Sequence, residues 1–186
     1  MGLVQWVEKK YGRKKGLVRH ITALAQYNTG KLKQFDDIDF SRVKRIIYVC
    51  KGNICRSAFA EFKTLSIGFK AASGGLAVVN RDPADQMASQ VAQERGIDLS
   101  DHFSKNIRSL DVDESDLLVT FEPWQAESVA AIVEGSHAQV TLLGLHSKVK
   151  RPHLEDPYSL SKEYFQTCFS VIEQGVMGMV DKTTMG

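Results

Sequence analysis

Cysteine is scarce in this 186-residue chain, which contains only Cys50, Cys55 and Cys168. A low, odd count gives no disulfide framework and points to a reducing compartment, with the cytoplasm as the default location. There is no Cys-x-x-Cys, and the five histidines (His20, His102, His137, His146, His153) lack metal-ligand spacing, so neither a metal nor another cofactor is expected. His146 and His153 read as solvated. The string Gly-x-x-x-x-Gly-Lys-Ser/Thr is absent, which excludes that nucleoside-triphosphate loop. No apolar run approaches the roughly 18 residues that span a bilayer, and the N-terminus lacks the basic start and apolar core of a secretory signal. Internal repeats and low-complexity tracts are missing too.

What is present is ordinary in bulk and uneven in detail. Hydrophobic residues make up 43% and charged residues 25%, which suits one globular domain with a real core. The formal net charge of +2 conceals an asymmetry. Residues 1–34 carry eight Lys or Arg against the single acid Glu8, a net of +7, which leaves −5 for the rest. Within this basic segment a short helix is expected over Leu3–Lys10, ended by Gly12. A longer one is expected over Lys14–Thr29, stopped by Gly30, with Leu17, Val18, Ile21, Leu24 and Ala25 on one face. Such an arm suits an anionic membrane surface, a nucleic acid or a partner. The plainer reading is an ordinary basic face whose apolar stripe packs on the main domain or on a second subunit of a homodimer. Trp6, Tyr11 and Tyr27 are thin support for nucleic-acid binding, and none is expected. Phe35–Phe40 reads as a linker, dividing an extension (1–42) from a domain (43–186).

From Val43 onward the elements alternate. Strands are expected at Arg45–Val49, Phe69–Ala72, Asp116–Phe121 and Gln139–Leu143. Helices are expected at Ser57–Ser66, from the Asp82-Pro83 start to Arg95, from Glu122-Pro123 to Glu134, and over Ser161–Val180. This order predicts an α/β fold: an open, twisted, four-stranded parallel sheet with helices on both faces, preceded by a helical extension. Ligands of such sheets bind at the C-terminal ends of the strands.

Cys50 sits at such an end. Cys50-Lys51-Gly52-Asn53-Ile54-Cys55-Arg56-Ser57 follows the β-branched run Ile46-Ile47-Tyr48-Val49 and opens a helix. Loop amides and a helix N-terminus aimed at one spot favour an anion, and the same field favours a thiolate at Cys50. Arg56 offers a planar fork matched to two phosphate oxygens. Nucleophile, cradle and fork within seven residues read as phosphoryl transfer through cysteine. A carboxylic acid is still needed to protonate the leaving oxygen, and Leu154-Glu155-Asp156-Pro157-Tyr158, after the last strand, supplies either Asp156 or its neighbour Glu155. Pro157 biases Asp156 towards an extended geometry. Gly52 is expected to supply a backbone angle that side chains forbid, and Asn53 to hold the loop through hydrogen bonds.

The full pattern Cys-x-Gly-Asn-x-Cys-Arg-Ser after a strand resembles the phosphate loop of low-molecular-weight protein tyrosine phosphatases, and the resemblance covers about Arg45 to Val180. It implies Cys50 as nucleophile, Arg56 as phosphate ligand and Asp156 as general acid. The residues Lys51, Gly52, Asn53, Ile54, Cys55 and Ser57 would line the phosphate site. It also implies that Ser57 stabilises the thiolate, that Ser73 and His102 brace the loop asparagine, and that Cys55 can trap Cys50 in a reversible disulfide. Ile54 stands where a protein-arginine phosphatase of this fold has Thr, which favours a phenyl ring and hence a phosphotyrosine protein substrate. Departures from the family pattern are Ala58 for Pro, Ser159 for a second Tyr, Lys105-Asn106 for Arg-Gln, and a loop Leu76–Asn80 without Trp or Tyr. Tyr158 is therefore the aromatic candidate for the pocket rim. Two rival functions share these features. A thioredoxin-coupled arsenate reductase would need further relay cysteines, and only Cys168 follows the loop. A non-catalytic phosphate-binding module would not need Cys50, Arg56 and Asp156 together.

Overall fold

The computed structural model describes residues 2–185. Four parallel strands form one sheet: β1 (Arg45–Cys50), β2 (Ala71–Gly75), β3 (Asp116–Thr120) and β4 (Gln139–Leu142), in spatial order β2-β1-β3-β4. The register pairs Ile47 with Ala72 on one side and with Leu118 on the other. The helices are α1 (Leu3–Tyr11), α2 (Lys14–Asn28), α3 (Arg56–Ser66), α4 (Gln86–Gln93), α5 (Pro123–Ile132) and α6 (Lys162–Met185). The expected α/β architecture is thus present, with the helical extension in front of it.

The central residues of β1 and β3 are apolar because both faces of the sheet are covered. Alternate residues sort by face. Ile46, Tyr48, Leu117 and Val119 meet α3, α4 and α6, where Phe59 stacks on Phe169 at 3.9 Å between ring centroids. Ile47, Val49 and Leu118 meet α5 through Val129 and Val133. A third cluster joins Leu32 and Phe35 to Ala126, Leu142 and Leu145. The expected linker is therefore partly core: Phe35 is buried and its carbonyl accepts a bond from Thr141 Oγ1 (2.6 Å).

Several element boundaries differ from expectation. β2 lies later than Phe69–Ala72 and takes in Gly74 and Gly75, residues of a type more common in turns. They are glycines because the strand passes close to other backbone: a Cβ on Gly75 would stand 2.9 Å from the Lys51 carbonyl oxygen, and one on Gly74 3.0 Å from Ile107 Cα. The cap of α4 is Asp85, not Asp82, and its carboxylate takes the N–H groups of Met87 and Ala88 (3.0 Å each). Asp82 N bonds instead to Ser104 Oγ, and Pro83 pairs with Phe103. α6 runs five residues past Val180. On α2 much of the expected apolar stripe faces outward, with Val18 62% and Ile21 57% exposed and Leu17 and Leu24 only half-buried, while Gly16, His20 and Ala23 form the buried face. Periodicity marked the wrong side because that contact is made by a glycine, a histidine and the arginines described below. His146 and His153 are buried, not solvated. Among the described residues no helix is long and apolar enough to cross a membrane.

Candidate active site

The chain leaves β1 at Cys50, loops through residues 51–55 and enters α3 at Arg56. The Cys50 sulfur accepts the Asn53 N–H (3.2 Å) and lies 3.0 Å from Ser57 Oγ. Ser57 Oγ already accepts from Asn53 Nδ2 (2.9 Å), which leaves its own hydrogen for the sulfur. Asn53 holds the loop in shape. Its φ is +55°, in the left-handed region, and its side chain is tied down on every side. Nδ2 also donates to Ser73 Oγ (2.7 Å), Oδ1 accepts the Lys105 N–H (2.9 Å), and the Asn53 carbonyl accepts from His102 Nε2 (2.6 Å). Ser73 in turn donates to Glu61 (2.5 Å).

The special backbone angle is thus at Asn53, not at Gly52 as the sequence predicts. A Cβ on Gly52 would meet only Ile54 Cγ1, at 3.7 Å. Asparagine tolerates the left-handed region, and its side chain supplies bonds that glycine cannot. His102 is buried, and burial is the main reason its pKa falls below the ordinary imidazole value; the neutral ring makes this bond as the tautomer that carries its hydrogen on Nε2. Cys55 is buried at the start of α3, and burial, followed by nearby Asp156 and Asp85, pushes its thiol well up. Lys51 is exposed, with its carbonyl bonded to Ala77 N (2.9 Å); Ile54 is half-buried against the α4 side of the core.

Arg56 is fully buried, which is costly for a cation unless it is paired. Nη1 donates to Glu122 Oε1 and to the Leu154 carbonyl (2.8 Å each), and Nη2 lies 2.8 Å from Asp156 Oδ2. The Phe121 ring sits beneath the guanidinium, 5.5 Å from Cζ. Burial opposes the charge, but Asp156 and Glu122 outweigh it and hold the guanidinium protonated well above its ordinary range. Nε is buried without an acceptor, and Nη2 has only the Asp156 carboxylate beside it, not aligned as a hydrogen bond, so this edge of the fork can still take a better-placed oxyanion.

Asp156 is one-third exposed, whereas Glu155 points the opposite way into buried contacts with Arg13, Arg19 and His153. That orientation separates the two candidate acids: Asp156 faces the Arg56 fork and Glu155 does not. Tyr158 stands at the rim, 54% exposed, with its N–H towards Asp156 Oδ1 (3.3 Å). Two supporting carboxylates escaped the sequence reading. Glu61 lies one turn beyond Ser57 on α3, a spacing that faces the loop, and Glu122 is the second residue past β3, at the C-terminal edge of the sheet. Among the described residues no cluster of His, Cys, Asp or Glu could hold a metal ion.

This geometry has known relatives. The family description "Low molecular weight phosphotyrosine protein phosphatase" matches residues 45–185. The probable low molecular weight protein-tyrosine-phosphatase AmsI of Erwinia amylovora is 30% identical over 141 residues, covering 75% of this chain and 96% of the relative. Its crystal structure superposes with a TM-score of 0.65 at 29% identity, covering 75% of this chain and 92% of that one. Vibrio vulnificus Wzb, in complex with benzylphosphonate, gives 0.64 at 27% identity, covering 75% and 98%. With a strand–loop–helix thiol site on this sheet and a family match across three-quarters of its length, the chain belongs to the low-molecular-weight protein tyrosine phosphatases.

Proposed function

We propose that the chain hydrolyses phosphotyrosine in protein substrates through a phosphocysteine at Cys50. The observation that carries this reading is the convergence of three groups at the C-terminal edge of β1: the Cys50 sulfur, the Nε/Nη2 edge of the Arg56 fork and the Asp156 carboxyl group that faces that edge. In the first step the thiolate attacks phosphorus in line with the ester oxygen. The S–P bond forms as the P–O bond breaks, Arg56 and the loop amides stabilise the equatorial oxygens, and Asp156 gives its proton to the departing tyrosyl oxygen. In the second step Asp156 takes a proton from water, water attacks phosphorus, and the S–P bond breaks to release phosphate. Ser57, donating to the sulfur, favours the thiolate both as nucleophile and as leaving group.

The half-buried Ile54 and the rim residue Tyr158 offer apolar contact to a phenyl ring, and Lys51, Gly52, Asn53 and Cys55 complete the wall around the phosphate. Benzylphosphonate, the compound in the Wzb complex, joins a tetrahedral phosphorus anion to an aromatic ring, as phosphotyrosine does. No step requires a metal or an organic cofactor. The phosphatase domain is taken as residues 43–186, preceded by the extension, and the chain as acting in the cytoplasm. Cys168 is a poor relay for arsenate reduction: it is fully buried on α6 and burial pushes its thiol up to about 12. Cys50→Ser is expected to abolish release of phosphate from a phosphotyrosine peptide, with EDTA leaving the wild-type rate unchanged. A Cys50→Ser enzyme that kept the wild-type rate would end the proposal.

A further inference from the structure

The helix pair α1–α2 touches the segment leading to Asp156 at alternate residues. Arg151 Nη2 donates to the Lys10 carbonyl, and its guanidinium lies 5.0 Å over the Tyr11 ring. Glu155, 2% exposed, holds its carboxylate against Arg13 Nε (2.8 Å), against Arg19 Nη1 (3.1 Å to each oxygen) and against His153 Nε2 (2.8 Å). Gly16 lies under the Glu155 stem, where an added Cβ would stand 3.1 Å from Cγ and 3.2 Å from Cβ. The Glu155 carbonyl accepts from Tyr164 Oη (3.0 Å). Both the side chain and the backbone of the residue next to Asp156 are therefore fixed.

The contacts continue to the phosphate-binding arginine. The second ring nitrogen of His153 lies 3.9 Å from Glu122 Oε2, and Glu122 Oε1 pairs with Arg56. A line of polar and charged groups thus runs from Arg13 and Arg19 through Glu155, His153 and Glu122 to Arg56, with the 3.9 Å step from His153 to Glu122 its longest. The two arginines are half-exposed, and a pair between two exposed partners would matter little. Here the carboxylate is buried. Removing both cations leaves the carboxylate with His153 alone, which favours its turning towards water and shifting the backbone at Asp156 with it. Burial by itself would raise Glu155, yet the His153 hydrogen bond and Arg19 outweigh it and hold the group at about 2. The family match begins at residue 45, so both arginines lie outside it.

We infer that the N-terminal helix pair is a working part of the catalytic centre, in which Arg13 and Arg19 are positioning residues that act through Glu155 to aim Asp156 at the leaving oxygen. This rests on the reading of Asp156 as general acid. It makes the extension a determinant of which esters the enzyme can cleave, because only poor leaving groups need the proton. Nitrophenolate departs unaided, whereas phenolate, like the tyrosyl oxygen, is the base of an acid with a pKa of about 10.

The test is kcat/KM for full-length enzyme on p-nitrophenyl phosphate and phenyl phosphate, a ratio that reports steps up to formation of the phosphocysteine. For Arg13→Ala/Arg19→Ala, phenyl phosphate is expected to lose about 100-fold and p-nitrophenyl phosphate no more than about 5-fold. Arg13→Lys/Arg19→Lys, which keeps two cations beside Glu155, is expected to recover most of the phenyl phosphate rate. Equal losses on both substrates, or no loss on either, would overturn the inference and leave the arginines a structural role alone. Asp156→Asn on the same two substrates separates the two readings. If it discriminates by leaving group and the arginine variant does not, the positioning role fails and the general acid stands. If Asp156→Asn itself shows no discrimination, the acid assignment falls and the positioning role falls with it.

Discussion

Asn53 and Gly52 are adjacent in the phosphate loop, yet the structure gives them opposite tolerances. Asn53 occupies a left-handed backbone that costs other residues about 1–2 kcal/mol, and three side-chain hydrogen bonds hold it there. Asn53→Ala would impose that strain and leave Ser57, Ser73 and the Lys105 N–H short of partners, for a loss of about 3 kcal/mol. Gly52→Ala meets nothing closer than 3.7 Å and is expected to change stability by less than about 0.5 kcal/mol. Equilibrium urea denaturation of the two variants checks this contrast, and a Gly52→Ala variant as damaged as Asn53→Ala would contradict it. Arg56→Lys keeps the charge but not the fork, and the Glu122 pair and the Leu154 carbonyl lose a matched partner. It is expected to lower kcat/KM for aryl phosphates by about 100-fold or more, with weaker competitive inhibition by inorganic phosphate. The identity of these loop residues was legible in the sequence. The division of labour between Gly52 and Asn53 was not, because it depends on Ser73 and Lys105, which reach the loop only after β2 has paired with β1.

At the scale of elements, α2 is the part that sequence periodicity misjudged. Val18 and Ile21 satisfy the amphipathic rule and face outward, whereas Gly16 and His20 face the domain. A glycine inside a helix normally costs about 1 kcal/mol relative to alanine, so Gly16→Ala would ordinarily stabilise. Here the added Cβ would stand 2.1 Å from the Tyr11 carbonyl oxygen and press on Glu155. Overpacking of that kind costs about 1–3 kcal/mol and exceeds the propensity gain. Gly16→Ala should therefore lower the Tm by at least about 3 °C. A raised Tm in a thermal melt would show that α2 is not seated on the acid loop as described. The same reasoning explains Gly74 and Gly75, which look like a turn in sequence but lie in β2 because Ile107 and the phosphate loop crowd that strand.

The whole molecule carries a pH signature that no single element shows. His20, between the extension and the domain, and His146, against the sheet and α6, are both held down to about 4, chiefly by burial. Nearby cations add to this, Arg151 at His20, and Lys182 and Lys150 at His146. Each binds fewer protons folded than unfolded, so the stability is complete above about pH 6.5 and is lost as pH falls towards 4. Together they should cost roughly 2–3 kcal/mol per pH unit near pH 5. Glu155, held at about 2, adds a second loss that starts near pH 4.5 and completes as pH falls through 2. Urea denaturation between pH 7 and pH 4.5 should show the first slope, and His20→Gln/His146→Gln should flatten it. An unchanged slope in that double variant would assign the acid sensitivity to other groups.

Sequence alone determined the class of sheet, the strand that ends in Cys50 and the residues of the phosphate loop. All of these follow from local matters: β-branched runs, helix starts, and a motif confined to eight consecutive positions. It also offered Asp156, but beside Glu155, and adjacency could not choose between two carboxylates. Tertiary structure separates the two. An extended backbone sends neighbouring side chains to opposite sides, and only the packed molecule shows that one side holds Arg56 and the other Arg13, Arg19 and His153. The partners of Glu155 on α2 lie 136 and more residues away in the chain, a separation that no local pattern spans. For the same reason Glu122 and Glu61 were silent in the sequence, since a buried carboxylate declares its role only when the cation or hydroxyl it serves has been folded against it.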